Sequence, residues 1–429
     1  MTRTLVLGLA CLGILAMLAL GACATPKRAP AVPTTLTSEA TALAGPTRFL
    51  VTRDTSGMEA EARRSLDKER AWLEANGQGG PLPPMAMLAI SGGGDSGAFG
   101  AGLLNGWTTA GTRPEFKVVT GVSTGALSAP FAFLGARCDP ALKAVYTDVS
   151  QSDIFRPRGL LKGFFGDALA DTSPLYRLVD RFVDRRLLDA IAAEYAKGRL
   201  LLVGTTNLDT LEPVIWNMTA IAASSDPHAL ELFRKVLLAS AAIPAAFPPV
   251  LIDVDAGGQH FQEMHVDGGA MAQVFAYPPS LNVSASGVER QRALYIIRNA
   301  RLDPDWASVK RRTLPIATRA VSGLMQSQGM GDLFRIYMTA TRDGVDYNLA
   351  FIPPTFTTPH TKDFDPAYMR PLFDLGFQMA AAGFPWRKEP PGYSAPLQAS
   401  TAQIGTPAGT PAPVSAPSAG PSQPFACAA

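Results

Sequence analysis

Lys117-Val118-Val119-Thr120-Gly121-Val122-Ser123-Thr124-Gly125 is the stretch on which the reading of this chain turns. A short β-like run enters it, and a helix-like run, Ala126 to Leu134, leaves it. A serine between Gly121 and Gly125 at a strand-to-helix junction has the layout of a nucleophile elbow. The turn is too tight for side chains two residues to either side, so glycines let the backbone bend and leave the serine Oγ exposed. The helix that follows points its free N–H groups, and the positive end of its dipole, at any charge developing there. In a chain with 39 glycines among 429 residues the five-residue pattern carries little weight alone. Its neighbours must decide.

Upstream, Met85 to Ile90 is a continuous apolar run, the signature of a strand buried in a parallel sheet. It leads into Gly92-Gly93-Gly94-Asp95-Ser96-Gly97. Such a loop can turn its N–H groups inward without side-chain obstruction, as an anion or oxyanion site needs. It lacks the Lys-Ser/Thr ending of a P-loop and the spacing of a dinucleotide fingerprint, which argues against a nucleotide. A carboxylate at position 95 would repel a developing oxyanion, so Asp95 is expected to cap the next helix with its side chain turned away. Downstream, His265-Val266-Asp267-Gly268-Gly269 closes another strand-like run. The two glycines leave the Asp267 carboxylate uncovered, free to approach a serine hydroxyl as its base. By itself Asp-Gly-Gly is more often a turn.

Further strands are expected at Leu200 to Thr205, Pro213 to Met218, Val250 to Val254, Gln259 to Val266, Ala293 to Arg298 and Tyr347 to Ile352. Helices are expected around Ala141 to Val149, Leu175 to Phe182, Leu187 to Tyr195, Arg319 to Gln326, Gly331 to Thr341 and Pro366 to Gly383. This alternation predicts a three-layer α/β/α domain.

In this order, the glycine loop, the Ser123 elbow and the Asp267 turn resemble the patatin-like phospholipase family. That family pairs a glycine-rich oxyanion loop, a G-x-S-x-G serine and a D-G-[GA] aspartate in a Ser-Asp dyad without a catalytic histidine. A fourth match is Ala239-Ser240-Ala241-Ala242-Ile243-Pro244-Ala245-Ala246-Phe247-Pro248-Pro249, like the family's apolar segment ahead of the final strands. The resemblance covers roughly Met85 to Met271, with element order continuing to about Gly383. It implies a patatin-like domain with a mainly parallel central sheet and a serine acyl-ester hydrolase. Ser123 would attack an ester carbonyl and Asp267 would take its proton. Backbone amides of the loop, assigned to Gly92, Gly93, Gly94 and Gly97, would hold the tetrahedral oxyanion, and water would release the acyl group. Gly121 and Gly125 would shape the elbow, and Gly268 and Gly269 the turn beside the aspartate. No metal or other cofactor is implied. Phospholipid or lysophospholipid is the implied substrate class. The alternatives are a short-chain esterase or thioesterase on the same dyad and a non-catalytic envelope lipoprotein that binds lipids or proteins. One departure is Ser96, where the family's loop carries a basic residue.

His265 and Asp267 lie two apart on one strand, so a Ser-His-Asp triad is imaginable. They would stand side by side at the serine, whereas a triad needs the carboxylate behind the imidazole. Glu263, His265 and Asp267 alternate along the same face, but without further partners they make a poor metal site.

The remaining composition bounds the rest. The net charge of +2 and the lack of a long basic run argue against a nucleic-acid partner. Four cysteines, two of them within the first 23 residues, exclude a disulfide scaffold and suggest no zinc site. Cys138 is expected to be a buried thiol, with a bridge to Cys427 possible in an oxidising compartment. Arg3, the apolar run Leu5 to Leu20 and Leu20-Gly21-Ala22-Cys23 read as a signal peptide over 1–22 ending in a lipobox. By resemblance to bacterial lipoproteins, Cys23 would be lipidated and anchor the protein in the cell envelope. Ala24 in place of aspartate favours the outer membrane, facing the periplasm. Residues 23–46 are expected to be a flexible tether, 47–84 a peripheral helix and hinge, 85–389 the hydrolase domain and 390–429 a low-complexity tail. In the helix Leu66, Trp72 and Leu73 would form the apolar stripe. Ile154 to Leu169, with Leu160, Leu161, Phe164 and Phe165 among glycines, reads as either a lid or a packed surface helix.

Overall fold

The apolar runs assemble into one nine-stranded sheet. It comprises β1 Arg48–Phe49, β2 Met85–Ile90, β3 Phe116–Val122, β4 Leu200–Asn207, β5 Glu212–Asn217, β6 Val250–Ala256, β7 Gln259–Asp267, β8 Arg292–Arg298 and β9 Asp346–Phe351. This computed structural model describes residues 28–393, apart from 54, 159–166, 285–286, 304–305 and 307. The main path runs β1-β5-β4-β3-β2-β8-β9. Strands β4, β3, β2, β8 and β9 are mutually parallel, while β5 and β1 add an antiparallel edge. The antiparallel ribbon β6–β7 joins at β4.

The longer helices are α1 Ser56–Ala75, α2 Gly97–Thr109, α3 Thr124–Leu134, α4 Asp139–Thr147, α5 Ser173–Phe182, α6 Arg185–Ala196, α7 Ala229–Ser240, α8 Thr313–Arg342 and α9 Pro366–Ala381. Alternate residues of a strand face opposite sides, and β2 shows how the layers divide. Ala86, Leu88 and Ile90 enter the main core with Phe99 and Leu103 of α2 and Leu372 and Phe373 of α9. Met87 and Ala89 enter a second core with Leu294, Ile296, Leu333 and Ile336, beneath α8. Helices therefore cover both faces of a mainly parallel sheet, a three-layer α/β/α fold.

Five expectations need correcting. The helix before the domain buries its polar side: Met58, Glu61, Ser65 and Glu69 are buried, whereas Trp72 is exposed and Leu66 and Leu73 only half-buried. Glu61 accepts hydrogen bonds from Tyr195 (2.6 Å) and Asn217 (3.1 Å), and Glu69 pairs with Lys117 and Arg290, each at 2.9 Å. Partners distant in sequence made the polar face the inner one. The expected tether is packed from residue 28 onward. Val32, Ala40 and Leu43 are buried, Arg28 pairs with Asp209 at 2.9 Å, and Thr41 bridges Asp255. Its few large apolar side chains dock on the β6–β7 ribbon, which a reading by composition overlooks. The two helices expected at 319–326 and 331–341 are the single helix α8. Asp95 does not cap α2, which has no side-chain cap. Residues 1–27, with Cys23, lie outside the described residues, as do 394–429 and, within the suspected lid, 159–166. Cys138 is buried as expected, but disulfide-bonded rather than a thiol.

Candidate active site

Ser123 stands where β3 ends. Its φ of +56° and ψ of −126° lie in a region that a residue with a Cβ adopts only under constraint. The constraint is steric on both flanks. A Cβ on Gly121 would approach the Gly125 carbonyl oxygen to 2.5 Å, and one on Gly125 would strike the Ile90 carbonyl. The elbow is thus wedged against the end of β2. The Ser123 N–H donates to Ser240 Oγ at 3.0 Å, and Ser240 donates onward to the Gly204 carbonyl at 2.7 Å.

Strand register brings the aspartate in. β3 pairs with β4 as far as Val122↔Gly204 and then turns into the elbow. The edge of β4 it leaves is taken by β7, beginning at Thr205↔Asp267. Ser123 and Asp267, 144 residues apart, therefore meet along one edge of β4: Ser123 Oγ donates to Asp267 Oδ2 at 2.6 Å. The other carboxylate oxygen accepts the Gly269 N–H at 2.7 Å. Gly268 has no room for a side chain, since a Cβ there would strike the Gly204 carbonyl. Burial pushes the Asp267 carboxyl up to about 6, opposed in part by the Ser123 and Gly269 hydrogen bonds.

The glycine loop lies against the elbow. A Cβ on Gly92 would sit 3.1 Å from Ser123 Cβ and 3.8 Å from its Oγ. The four glycines expected to supply oxyanion donors separate into two kinds. The Gly92 N–H is spent on the Gln273 carbonyl (3.0 Å), and that of Gly97 on the carbonyls of Gly94 and Asp95. Gly97 is instead required by packing, because a Cβ would press on Thr124 Oγ1 at 2.5 Å and Tyr146 OH at 2.6 Å. Gly93 and Gly94, with φ of +154° and +58°, are the more open pair, and their amides have no acceptor among the described residues. Asp95 turns away, as the repulsion argument requires, but onto another loop: its Oδ2 accepts the Phe364 N–H at 2.8 Å and lies 2.7 Å from His360 Nε2. Ser96 Oγ rests 3.2 Å from Tyr368 OH.

His265 does not reach this centre. It is fully buried, with Nδ1 2.9 Å from Thr205 Oγ1 and Nε2 3.1 Å from Glu263 Oε2, and Glu263 pairs in turn with Arg48. Both ring nitrogens are engaged in a structural network.

The geometry also assigns work to residues that sequence reasoning passed over. Ser240, quoted only as part of an apolar segment, holds the elbow amide. Gln273 ties the two glycine turns together, its Nε2 donating to the Gly269 carbonyl at 2.8 Å while its own carbonyl accepts from Gly92. Asn299 braces the loop, with Nδ2 donating to the Ser91 carbonyl and Oδ1 accepting the Gly100 N–H. Only the Ser240 segment carried a sequence signal, its likeness to the family.

Residues 88–278 match the family model for patatin-like phospholipase. Over that span the chain carries a patatin-like phospholipase domain. Among solved structures it is similar to VipD from Legionella pneumophila, at 13% identity and a TM-score of 0.32, covering 68% of this chain and 67% of that one. Superposition that loose carries no argument. No curated protein matches the chain. The patatin match spans all three motifs, Gly92–Gly97, Gly121–Gly125 and Asp267–Gly269, and supports lipid acyl hydrolysis.

Proposed function

We propose that this protein is a serine acyl-ester hydrolase acting on lipid esters through a Ser123–Asp267 dyad. The observation that carries the proposal is the 2.6 Å hydrogen bond from Ser123 Oγ to an aspartate whose other oxygen is pinned by a backbone amide. Asp267 accepts the hydroxyl proton as Oγ bonds to the ester carbonyl carbon. The oxyanion so formed is held by the Gly93 and Gly94 amides. Collapse expels the alcohol, which takes the proton back from Asp267. Water, activated by the same carboxylate, then releases the acid and restores Ser123. A carboxyl that titrates near 6 is ionised at neutral pH and still basic enough to serve.

The acyl chain has a candidate place. An apolar pocket beside the elbow is lined by Thr124, Leu127, Phe131, Val179, Leu237 and Phe364. Its volume of about 60 Å³ is small, and that favours a second reading, a short-chain esterase or thioesterase on the same dyad. We assign the protein to the bacterial envelope, anchored by lipid on Cys23, on the strength of Leu20-Gly21-Ala22-Cys23. A fluorophosphonate probe should label the wild type and not Ser123→Ala. Absence of labelling in folded wild-type protein would overturn the enzyme assignment, and turnover across esters of increasing acyl length would separate the two substrate classes.

A further inference from the structure

The first turns of α8 are largely exposed. Ile316, Val321 and Leu324 are 50%, 53% and 70% exposed, and Ala317 and Ala320 between them are exposed as well. Residues 313–328 contain a single charge, Arg319. A helical stretch of this length is marginal in water unless something packs on it. Here one charge rules out a ladder of ion pairs between turns, and Gly323 weakens it further.

Immediately before the helix, Trp306 is 87% exposed and Val309 41%. Lys310, Arg311 and Arg312 follow, all exposed, with no ion pair to any of them among the described residues. Exposed apolar side chains, a neighbouring tryptophan and a cluster of cations at one end are the components of a surface that sits in the headgroup region of a bilayer. The stretch is too short for a span, and no helix among the described residues is long and apolar enough to cross a membrane.

Its position is tied to the catalytic end of the sheet. Just past the exposed turns, Asp332 Oδ2 accepts the Gln273 N–H at 2.7 Å, and the Gln273 carbonyl accepts the Gly92 N–H of the glycine loop. A Cβ on Gly329 would strike the Arg298 guanidinium, at the end of β8. From that anchorage the helix runs back to Ile316 over roughly 20 Å, at 1.5 Å per residue. It projects beyond the ends of the strands that carry Ser123.

We propose that Trp306, Val309, the cations Lys310 to Arg312 and the exposed positions of α8 from Ile316 to Leu324 form a lipid-docking surface that seats the catalytic face on bilayers containing anionic lipid. Insertion would bury Trp306, Ile316, Val321 and Leu324, while Lys310, Arg311 and Arg312 meet the headgroup charge. This purpose rests on the acyl-ester reading, but adhesion itself does not need hydrolysis.

The test uses the full chain carrying Ser123→Ala and Cys23→Ser, so that no acyl anchor holds it to lipid, mixed with vesicles of brominated phosphatidylcholine with or without phosphatidylglycerol. Trp306 emission is taken as the difference between this protein and the same protein with Trp306→Phe. We expect Trp306 to be quenched by the bromines, more strongly with phosphatidylglycerol, and Leu324→Asp with Ile316→Asp to weaken the partition about tenfold or more. Both positions are exposed, so these variants should fold, and with Ser123 restored they should keep turnover of a soluble ester while losing turnover of vesicle lipid. Unquenched Trp306 in vesicle-bound protein would overturn the proposal. Concentration-dependent self-association abolished by Leu324→Asp, without quenching, would assign the surface to a second copy of the chain instead. Quenching in a protein that hydrolyses no ester would leave this surface standing and remove the hydrolase reading.

Discussion

At the scale of single residues, the proposed chemistry rests on one buried carboxylate. Asp267 is only 1% exposed, and burial raises its carboxyl to about 6. Below that pH it gains a proton and can no longer accept one from Ser123. We therefore expect kcat/KM on a soluble ester to fall by about tenfold per pH unit below about 6. An acid limb near the ordinary carboxylate range would show that Asp267 is not the titrating base. Asp267→Asn should lower kcat by at least about a hundredfold, the usual range for losing a general base. His265→Ala should cost far less turnover, because its nitrogens serve Thr205 and Glu263. Its loss should appear in the unfolding transition. Measuring turnover and urea unfolding on both variants separates the roles, and abolished turnover in folded His265→Ala alone would reverse them.

At the scale of elements, the elbow depends on a contact between β4, α7 and the start of α3. Ser240, the last residue of α7, accepts the Ser123 N–H and donates to the Gly204 carbonyl. Removing its hydroxyl leaves a buried donor and a buried acceptor unpaired, at a cost of about 1–3 kcal/mol. Ser240→Ala should therefore lower the urea midpoint and reduce kcat more than it raises KM, since a looser elbow misplaces Oγ without touching substrate. Ser240→Thr should recover both if its hydroxyl reaches the same partners. An unchanged midpoint in Ser240→Ala would show that the contact is dispensable.

At the scale of the whole molecule, the segment before the domain is part of its structure. Arg48 pairs with Glu263 with side chains only 6% and 2% exposed, and β1 extends the sheet at β5. Arg48→Ala would strand a buried carboxylate, a loss on the order of 3–5 kcal/mol, readable as a lowered melting temperature. Glu263 also sets an acid limit. Burial alone would raise its carboxyl, but the His265 hydrogen bond and the Arg48 charge outweigh that and hold it down to about 2. A carboxyl depressed on folding stabilises fully above its ordinary value of 4.5 and loses that contribution as pH falls toward 2. Wild-type stability should drop across that window, and the drop should be smaller in Glu263→Gln. Location is a separate prediction from Leu20-Gly21-Ala22-Cys23. Cys23→Ser, combined with Ile316→Asp and Leu324→Asp to remove the other proposed lipid contact, should release the protein from membranes or leave it unprocessed, and such a mutant cleaved normally yet still in the outer-membrane fraction would refute lipid anchoring.

Sequence alone determined the features that depend on near neighbours. The apolar run Met85 to Ile90 became a buried strand with those bounds, and Gly121 and Gly125 marked a turn whose steric demands are met within a few residues of Ser123 and at the end of β2. Asp267 was legible because two glycines beside a strand end leave a carboxylate uncovered. Tertiary structure alone decided the features that depend on distant partners. Whether a loop amide is free follows from which carbonyl lies opposite it, so Gly92 and Gly97 are spent and Gly93 and Gly94 open. Which face of α1 turns inward was settled by Tyr195, Asn217, Lys117 and Arg290, since a carboxylate is buried where cations and donors await it. The meeting of Ser123 with Asp267 likewise came from strand register, because β7 pairs with β4 only past the point where β3 turns away.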